Sequence, residues 1–399
     1  MLINTRYKYG GSTGRIIYDL AETIRRNGHE AYAAYGYEYN KMDEPFTLQM
    51  ESIPRLKISI LETRIFGRHG FYNVDSTRKL IKWIDELKPD IIHVHNLHNH
   101  YINVEILFSY IKEHKIPVVW TLHDCWSFTG WCAYFDYARC EKWKTKCCDC
   151  PCIHDYPFTW FFDRSNELFK KKKQIFNRVD NLTIITPCNW LKNNVKQSYL
   201  CDYPVKVIYN GIDVDIFKPT ESDFRVRHGL VDKKVVLAVA NVFEPRKGTD
   251  FLLRLPKLLP KDYRVILVGA KDNVKKSAAE GCLIIGRTES AKELAEIYSA
   301  ADVFINPTLE DNFPTTNMEA LACGTPVITY STGGSPEAID ENTGIVVERG
   351  NEEDFVKAIK DICICSDMSR ICRERAVKLF DKDNRYMEYI QLYEEILKR

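Results

Sequence analysis

Short apolar runs alternate with amphipathic segments along the whole chain, and this alternation limits the possible folds more than any other feature. The runs are rich in β-branched residues, as strands buried on both faces are. They lie at 90–95, 116–122, 181–186, 205–209, 234–240, 263–268, 282–285, 302–305, 326–330 and 344–347. The segments with a helical period lie at 13–27, 77–87, 103–114, 290–300 and 353–364. Strands that alternate with helices predict parallel sheets covered by helices, which is the α/β fold class.

The chain has 399 residues. A single hydrophobic core rarely supports a chain of this length, so two domains are expected. The stretch NGIDVDIFKPTESDF (210–224) is rich in turn residues, has no helical period and divides the strands into two sets. We therefore predict a doubly wound N-terminal domain over 1–212 and a second doubly wound domain over 213–382. The last segment, 383–399, has apolar residues at i, i+3 and i+4, which predicts a helix that packs back toward the N-terminal domain.

The charge balance excludes some classes of function. The net charge is +1 at pH 7, so nothing in the overall composition suggests a nucleic-acid-binding protein. No apolar run approaches the roughly 18 residues of a transmembrane helix, and the first residues, MLINTRYKYGG, lack the apolar core of a signal peptide. We therefore expect a soluble, cytoplasmic protein whose 14 cysteines are reduced.

In open α/β sheets, ligands bind at the carboxyl ends of the strands, so the residues that follow each predicted strand are the most informative. These residues are small or polar in both halves of the chain. They are GGSTGR (10–15), Asn96-Leu97-His98, His123-Asp124, NVFEPRKG (241–248) and the stretch that begins at Asn306. We expect the two domains to direct these residues toward one cleft.

Two of these turns have the chemistry of a phosphate site. GGSTGR follows a short strand and opens a helix, so its backbone amides could receive a phosphate, although it matches neither the P-loop nor the GxGxxG pattern. Arg246 and Lys247 suit a diphosphate, because arginine binds it with two hydrogen bonds and lysine adds a point charge. The structural alternatives are a glycine-rich turn and a solvated basic turn.

The stretch NPTLEDNFPTTNMEALACGTPVITY (306–330) carries three acids, Glu310, Asp311 and Glu319. Pro314 prevents a single helix from covering the acids, so a helix can begin only after it. In one interpretation Thr316-x-x-Glu319 is a capping box, and Glu319 only closes a helix end. In the other, the helix N-terminus stabilises phosphate charge, and Asp311 and Glu319 accept hydrogen bonds from ligand hydroxyls, as carboxylates do in sugar sites.

Taken together and in this order, the motifs resemble those of a bacterial glycosyltransferase of family 4, a family with the GT-B fold. The segments that carry the resemblance are GGSTGRIIYDLA (10–21), VIYNGIDVDIFKP (207–219), NVFEPRKG, YSAADVFINPT (298–308), EDNFPTTNMEALACGTPVI (310–328) and STGGSPEAI (331–339). They cover nearly the whole chain. Two further segments, HVHNLHNHYIN (93–103) and TLHDCWSFTGWCAYF (121–135), are similar to the subgroup that makes colanic acid, O antigen or capsule.

The resemblance implies two Rossmann-like domains that face each other across a cleft. It also implies a retaining, metal-independent transfer of a hexose-type sugar from a nucleotide-diphosphate-sugar donor, with no cofactor. The acceptor would be a glycan or a polyprenyl-linked glycan in the synthesis of a cell-surface polysaccharide. Two alternatives remain open: a nucleotide-sugar epimerase on the same fold, and a non-catalytic scaffold that binds a sugar or a lipid.

The resemblance also implies roles for individual residues. The candidate catalytic residues are His123, Asp311, Arg246 and Lys247. The candidate donor-binding residues are Gly10, Gly11, Arg246, Lys247, Asp311, Asn312, Phe313 and Glu319. The candidate acceptor or cleft residues are His95, His98 and Asp124. Arg246 and Lys247 would bind the donor diphosphate, and Glu319 would hold the ribose hydroxyls.

One departure from the family pattern concerns the donor sugar. The usual pattern is Glu-Gly-Phe-Gly, with a second Glu eight positions after the first. Counting back eight positions from Glu319 gives Asp311, so Asp311-Asn312-Phe313-Pro314 replaces the pattern. The acid is shorter, and Pro314 donates no N–H. We predict that the specificity for the donor sugar differs here.

Seven cysteines crowd into 125–152, within a predicted insertion at about 125–160. The spacing Cys132-x7-Cys140-x6-Cys147-x2-Cys150 contains one CxxC pair and a looser pair upstream, which suggests a structural zinc. Reduced thiols without a metal are the alternative. His93 and His95 share a strand face, but no acid stands at a clear metal-binding spacing from them.

The segment YPFTWFFDRSNELFKKKK (156–173) joins aromatic residues to a run of lysines. Acceptors in the subgroup that the chain resembles are usually lipid-linked. We therefore expect this segment to contact the inner face of the plasma membrane. A solvated helix face is the alternative.

Overall fold

The structure is a computed structural model that describes residues 1–8, 11–39, 44–270, 280–363 and 368–398. The chain forms two compact units. Unit 1 consists of Met1–Tyr209 and Tyr386–Arg399, and unit 2 consists of Asn210–Arg385.

The described part of unit 1 contains a seven-stranded parallel sheet in the order β3-β2-β1-β4-β5-β6-β7. Its strands are β1 (Leu2–Asn4), β2 (Ala33–Tyr35), β3 (Thr47–Gln49), β4 (Ile92–Val94), β5 (Val118–Thr121), β6 (Leu182–Thr186) and β7 (Val205–Val207). The first strand is central, because Leu2 pairs with Ala33 on one side and with His93 on the other.

The helices of unit 1 cover both faces of this sheet, as the parallel arrangement requires. They are α1 (Gly11–Arg26), α2 (Ile53–Phe66), α3 (Val74–Leu87), α4 (Val104–His114), α5 (Ser165–Phe176) and α6 (Asn189–Gln197). The C-terminal helix of the chain (Lys382–Leu397) enters this unit at Tyr386. Its Tyr389 and Ile390 lie in the same buried cluster as Leu2 and Ile17.

The described part of unit 2 contains a six-stranded parallel sheet in the order β10-β9-β8-β11-β12-β13. Its strands are β8 (Lys234–Val239), β9 (Tyr263–Val268), β10 (Cys282–Ile285), β11 (Val303–Asn306), β12 (Val327–Tyr330) and β13 (Gly344–Val347). Its helices are α7 (Phe224–Arg227), α8 (Thr249–Arg254), α9 (Ala291–Ser299), α10 (Thr315–Ala322), α11 (Glu352–Ile362) and α12 (Ser369–Phe380), and the C-terminal helix is α13 (Lys382–Leu397). The α/β prediction of two doubly wound parallel sheets is confirmed.

Strand order locates the binding regions. In each sheet the chain runs outward from the first strand and then returns to its other side, so that order reverses between β1 and β4 and between β8 and β11. Open α/β sheets bind ligands at such a reversal, in the crevice outside the carboxyl ends of the strands. The loops after these strands are therefore where functional side chains are expected.

Some local features of the sequence explain where helices begin and end. Ser52 accepts a hydrogen bond from Arg55 N at the start of α2, which ends at Gly67 in the left-handed conformation. Asn103 caps α4, and Ser290 caps α9 in the same way. No helix among the described residues is both long enough and apolar enough to cross a membrane.

Candidate functional site

In unit 2, the loops that follow β8, β11 and β12 pack tightly on one another. Gly248 has φ +70°, and a Cβ on it would lie 2.2 Å from the carbonyl oxygen of Pro307. Gly333 has φ +55°, and a Cβ on it would lie 1.7 Å from the carbonyl oxygen of Asp311. Gly334 N donates to the carbonyl oxygen of Asn312 (2.9 Å). Only glycine permits these approaches, so the glycines in EPRKG and STGGS hold the three loops together.

The same loops bring together the predicted diphosphate and sugar residues. Lys247 Nζ forms an ion pair with Asp311 Oδ2. Arg246 Nε pairs with Glu244 Oε2 at 3.0 Å, and its Nη1 donates to the carbonyl oxygen of Glu310 at 3.4 Å. Leu309 N donates to the carbonyl oxygen of Arg246 (2.7 Å), which fixes the basic loop to the acidic one. Both cationic side chains are partly buried. The result is a pair of cations next to carboxylates at the carboxyl ends of β8 and β11.

Glu319 is held in a different way from the capping box considered for it. Helix α10 begins at Thr315 after Pro314, and no side chain of the described residues caps it. Glu319 therefore lies in the second turn, and the capping-box interpretation was wrong. Instead Tyr298 OH donates to Glu319 Oε2 (3.0 Å). Burial raises the pKa of Glu319, and the hydrogen bonds from Tyr298 and Thr315 partly oppose this effect. The carboxylate is therefore oriented by Tyr298, whose role the sequence did not suggest.

Asn312 and Phe313 lie on the same acidic loop, and both side chains are buried. The Phe313 ring packs edge-to-face against Phe380, with 6.1 Å between centroids. Asn312 accepts the hydrogen bond from Gly334 through its backbone. These contacts anchor the loop that carries Asp311.

In unit 1, the glycine-rich turn opens α1. Gly10 lies outside the described residues. Gly11 has φ +77°, and apart from its own chain neighbours and helix backbone no atom of the described residues lies within 4 Å of the position that a Cβ would take. The first turn of α1 therefore has open space beside it at Gly11.

Asp124, His98 and Tyr156 form a hydrogen-bonded chain in unit 1. His98 Nε2 donates to Asp124 Oδ2 (2.6 Å), and His98 Nδ1 pairs with Tyr156 OH (2.9 Å). Asp124 and His98 are buried, whereas Tyr156 is partly exposed. Burial alone would raise the pKa of Asp124, but the charge and hydrogen bond of His98 outweigh it, so the pKa is lowered. A buried carboxylate thus orients an imidazole, which in turn holds the Tyr156 hydroxyl, and that hydroxyl also donates to Asn99 Oδ1.

His95 and His123 stand beside this chain. His95 Nδ1 and His123 Nε2 are 3.0 Å apart, and the two rings are stacked. Burial lowers the pKa of His123 to about 4, although Asp124 opposes the effect. Burial also lowers the pKa of His95 well below its usual range, so both rings are neutral at pH 7. Among the described residues, His95 Nε2 has no hydrogen-bond partner.

Lys172 belongs to this region and not to the surface. Its side chain is 0 % exposed, and its Nζ donates to the carbonyl oxygen of Trp126 (2.6 Å) and lies 4.0 Å from the centre of the Trp126 ring. Burial lowers its pKa to about 7. Trp126 N in turn donates to Asp124 Oδ1 (2.9 Å), so Lys172 supports the loop that carries Asp124.

The cysteines are not arranged as predicted. Within the described ranges, no group of three or more His, Cys, Asp and Glu side chains is placed to hold a metal ion, so the predicted zinc site of Cys132, Cys140, Cys147 and Cys150 is not formed. Cys132 is hydrogen-bonded with Cys150 and Cys152. These hydrogen bonds and burial raise the pKa of Cys132, and the hydrogen bond with Cys132 lowers the pKa of Cys150. Cys147 Sγ instead accepts a hydrogen bond from Gly130 N (3.1 Å). The described cysteines are all free thiols.

Comparison with protein families identifies both halves of the chain. The profile described as "Glycosyltransferase Family 4" matches residues 9–216, which is more than half of the chain. The profile described as "Glycosyl transferases group 1" matches residues 220–379.

Two curated relatives illustrate the range of similarity. The chain is 26% identical over 373 residues to WcaC of Escherichia coli (strain K12), a protein named as a colanic acid biosynthesis glycosyl transferase, and the match covers 90% of this chain and 88% of WcaC. It is 30% identical over 174 residues to the D-inositol 3-phosphate glycosyltransferase of Mycobacteroides abscessus, covering 40% of this chain and 39% of that protein.

Solved structures share the fold over the whole chain. The sucrose-phosphate synthase of Thermosynechococcus elongatus superposes with a TM-score of 0.73 at 18% identity, covering 100% of this chain and 99% of that one. HepE of Anabaena in complex with UDP superposes with a TM-score of 0.67 at 16% identity, covering 99% of each chain. The predicted GT-B fold is confirmed by these likenesses.

Proposed function

The chain belongs to glycosyltransferase family 4, and from that premise we propose a retaining, metal-independent transfer of a hexose-type sugar from a nucleotide-diphosphate sugar. The proposed acceptor is a glycan or a polyprenyl-linked glycan in the synthesis of a cell-surface polysaccharide. The likeness to a protein named for colanic acid biosynthesis supports this role.

One observation carries the proposal: Arg246 and Lys247 lie beside Asp311 at the reversal of strand order in unit 2. Two cations on one loop suit the two phosphates of a nucleoside diphosphate. Asp311 lies within reach of whatever Lys247 binds, so it is proposed to accept hydrogen bonds from the donor sugar. Glu319, oriented by Tyr298, is proposed to accept hydrogen bonds from the ribose.

Transfer in this site would depend on stabilising the diphosphate as it departs. Arg246 and Lys247 would neutralise the charge that develops on it, and they do so best when they are already in place before the bond breaks. The acceptor hydroxyl would attack the face of the sugar that the diphosphate leaves, which retains the anomeric configuration. Its proton would pass to a departing phosphate oxygen, so no base is required.

The acceptor is assigned to unit 1. Tyr156 ends the Asp124–His98 chain with its hydroxyl held by His98 and Asn99, and its partly exposed ring is proposed to line the acceptor site. His123 is proposed to lie next to the reacting carbon, where a neutral imidazole accepts or donates a hydrogen bond without adding a positive charge. Residues 156–173 are proposed to contact the inner face of the plasma membrane, where a lipid-linked acceptor would be found.

The test is turnover of sugar nucleotides by the purified protein. HepE is described as a complex with UDP-glucose, which supports beginning with UDP-sugars before GDP-sugars. We expect release of the nucleoside diphosphate that depends on a lipid-linked acceptor, continues in EDTA and yields a product with the anomeric configuration of the donor. Isomerised sugar nucleotide without acceptor would indicate an epimerase. Binding without turnover would indicate a scaffold.

A further inference from the structure

Helix α2 buries two polar residues and exposes two large apolar ones, the reverse of what a surface helix normally does at such positions. Ser59 and Thr63 are 0 % and 1 % exposed, whereas Ile58 and Leu61 are 50 % and 48 % exposed. A surface helix normally buries its apolar residues and presents polar ones to water. Leu56 is buried with these two polar residues. Ile58 and Leu61 nevertheless lie on the outer side, next to the exposed Lys57 and Arg64. Phe66 at the end of the helix extends this outer apolar area.

Buried hydrogen bonds fix this orientation. Ser59 Oγ accepts a hydrogen bond from Asn73 Nδ2 (2.9 Å), and Thr63 Oγ1 pairs with His100 Nδ1 (3.0 Å). Rotating the helix to hide Ile58 and Leu61 would leave these buried polar groups without partners, at a cost of about 1–3 kcal/mol each. The apolar face of α2 is therefore held outward by the polar network beneath it.

A loop rich in aromatic residues continues the same surface. Trp160 N donates to the carbonyl oxygen of Arg64 (2.8 Å), and Arg164 Nε donates to the carbonyl oxygen of Phe66 (2.7 Å). These bonds join residues 158–162 to the C-terminal end of α2. In this loop Phe158, Trp160, Phe161 and Phe162 are all exposed, and Phe161 is 69 % exposed. We name this continuous area, the outer face of α2 together with residues 158–162, the apolar surface.

The apolar surface lies in a basic part of an almost neutral chain. Residues 53–68 contain four Lys and Arg and one acid. Apart from the buried Lys172, residues 158–173 contain four Lys and Arg and two acids, whereas the whole chain has 56 basic and 55 acidic residues. The Arg64 guanidinium lies over the rings of Phe158 and Trp160, so cations and aromatic rings are interleaved. Aromatic residues with a surround of Arg and Lys are typical of surfaces that enter the headgroup region of an anionic bilayer.

We propose that the apolar surface docks on an anionic lipid bilayer, with α2 and residues 158–162 entering the bilayer interface together. This extends the membrane contact proposed above from 156–173 to a helix in a distant part of the chain. The docking proposal rests on the proposed function in one respect: docking would bring the enzyme to a lipid-linked acceptor. Lys172 takes no part, because it is buried beneath Trp126.

Vesicle sedimentation tests the contributions of helix α2 and of residues 158–162 separately. We would use the full chain with vesicles of phosphatidylcholine alone and with one third phosphatidylglycerol. Ile58→Ser with Leu61→Ser removes the helix contribution, and Trp160→Ser with Phe161→Ser removes the loop contribution. Val226→Ser with Val231→Ser is the matched control, because these two apolar residues are more exposed than Ile58 and Leu61 but lie in unit 2.

Binding to the anionic vesicles should weaken at least tenfold in each of the first two variants and remain unchanged in the control. Wild-type binding should weaken as salt is added, since part of the attraction is electrostatic. Wild-type binding by the helix variant would overturn the role of α2. Absence of vesicle binding by the wild type would overturn the proposal as a whole. The proposal would also be overturned if the variants changed the oligomeric state of the protein and left vesicle binding unchanged. Transfer to a soluble acceptor needs no vesicle, so failure of docking and failure of the proposed enzymatic function are distinguishable.

Discussion

Lys247 and Asp311 form an ion pair that joins two loops 64 residues apart in the sequence. The loops follow β8 and β11, the neighbouring strands at which strand order reverses. The ammonium that is proposed to bind the donor diphosphate is therefore already in contact with the carboxylate that is proposed to bind the donor sugar. Each group sets the position and the effective charge of the other.

This contact predicts a split between two kinds of binding in Asp311→Asn. The substitution removes the carboxylate that neutralises Lys247, so a nucleoside diphosphate should bind as tightly as before or more tightly. The amide of Asn accepts hydrogen bonds from the sugar hydroxyls less strongly than a carboxylate does, so kcat for transfer should fall at least tenfold. Calorimetry with UDP and steady-state kinetics measure the two effects. A parallel loss of both would mean that Asp311 only holds the loop in place.

Gly333→Ala should damage the donor site from a distance. Its φ of +55° strains any other residue, and the new Cβ would collide with the carbonyl oxygen of Asp311. We expect weaker donor binding by about tenfold or more and a lower thermal midpoint. Gly286→Ala is the matched control, since in the described part of the chain nothing beyond its chain neighbours lies within 4 Å of its Cβ position. Equal behaviour of the two variants in differential scanning fluorimetry and donor titration would refute the argument.

Tyr156→Phe should affect the acceptor and leave the donor alone. The ring is retained, but the hydroxyl held by His98 is lost, and a hydrogen bond of this kind contributes about 1 kcal/mol. We expect kcat/KM for the acceptor to fall several-fold through KM, with unchanged UDP binding. Tyr39→Phe, an exposed tyrosine of the same unit, serves as the control. A fall in kcat alone would place Tyr156 in the chemical step instead.

Lys172 predicts a dependence of stability on pH. Its pKa is about 7 in the folded protein, whereas an unfolded lysine titrates near about 10.4. Between these values the unfolded chain binds one more proton than the folded chain, so the free energy of unfolding rises with pH by up to about 1.4 kcal/mol per unit. Lys172→Met should remove this rise. Urea unfolding at pH 7, 8 and 9 measures it, and parallel profiles for the two proteins would contradict the assignment.

The sequence predicted most of the strands but missed β2, β3 and helix α2, and α2 shows why a helix can be missed. All ten predicted strands are present within two residues of their expected limits, because buried parallel strands are continuous apolar runs. Helix α2 was not predicted at all. Ile58, Leu61 and Phe66 face outward, and Ser59 and Thr63 are buried beside Leu56, so the periodic pattern that indicates a surface helix is absent.

The candidate site was predictable only in part for a similar reason. Loop motifs after strands pointed to Arg246, Lys247 and Asp311, because topology places such loops together. The partners that orient functional groups were missed: Tyr298 beside Glu319 and Tyr156 beside His98. These pairs join residues 21 and 58 positions apart, and no local pattern marks them. The CxxC spacing of Cys147 and Cys150 also failed to predict which thiols lie together. Cys132 is hydrogen-bonded with Cys150 and Cys152, and Cys147 is not part of this group.

The most direct test of the account is transfer from a nucleotide sugar by wild type, Lys247→Met and Lys257→Met. Lys257 is an exposed lysine of the same unit and serves as the control. Loss of a preorganised cation next to the departing diphosphate should lower kcat/KM by about 10²–10³-fold in Lys247→Met, with an unchanged thermal midpoint. Lys257→Met should match the wild type. Wild-type turnover by Lys247→Met would contradict the assignment of the donor site to the loops after β8 and β11.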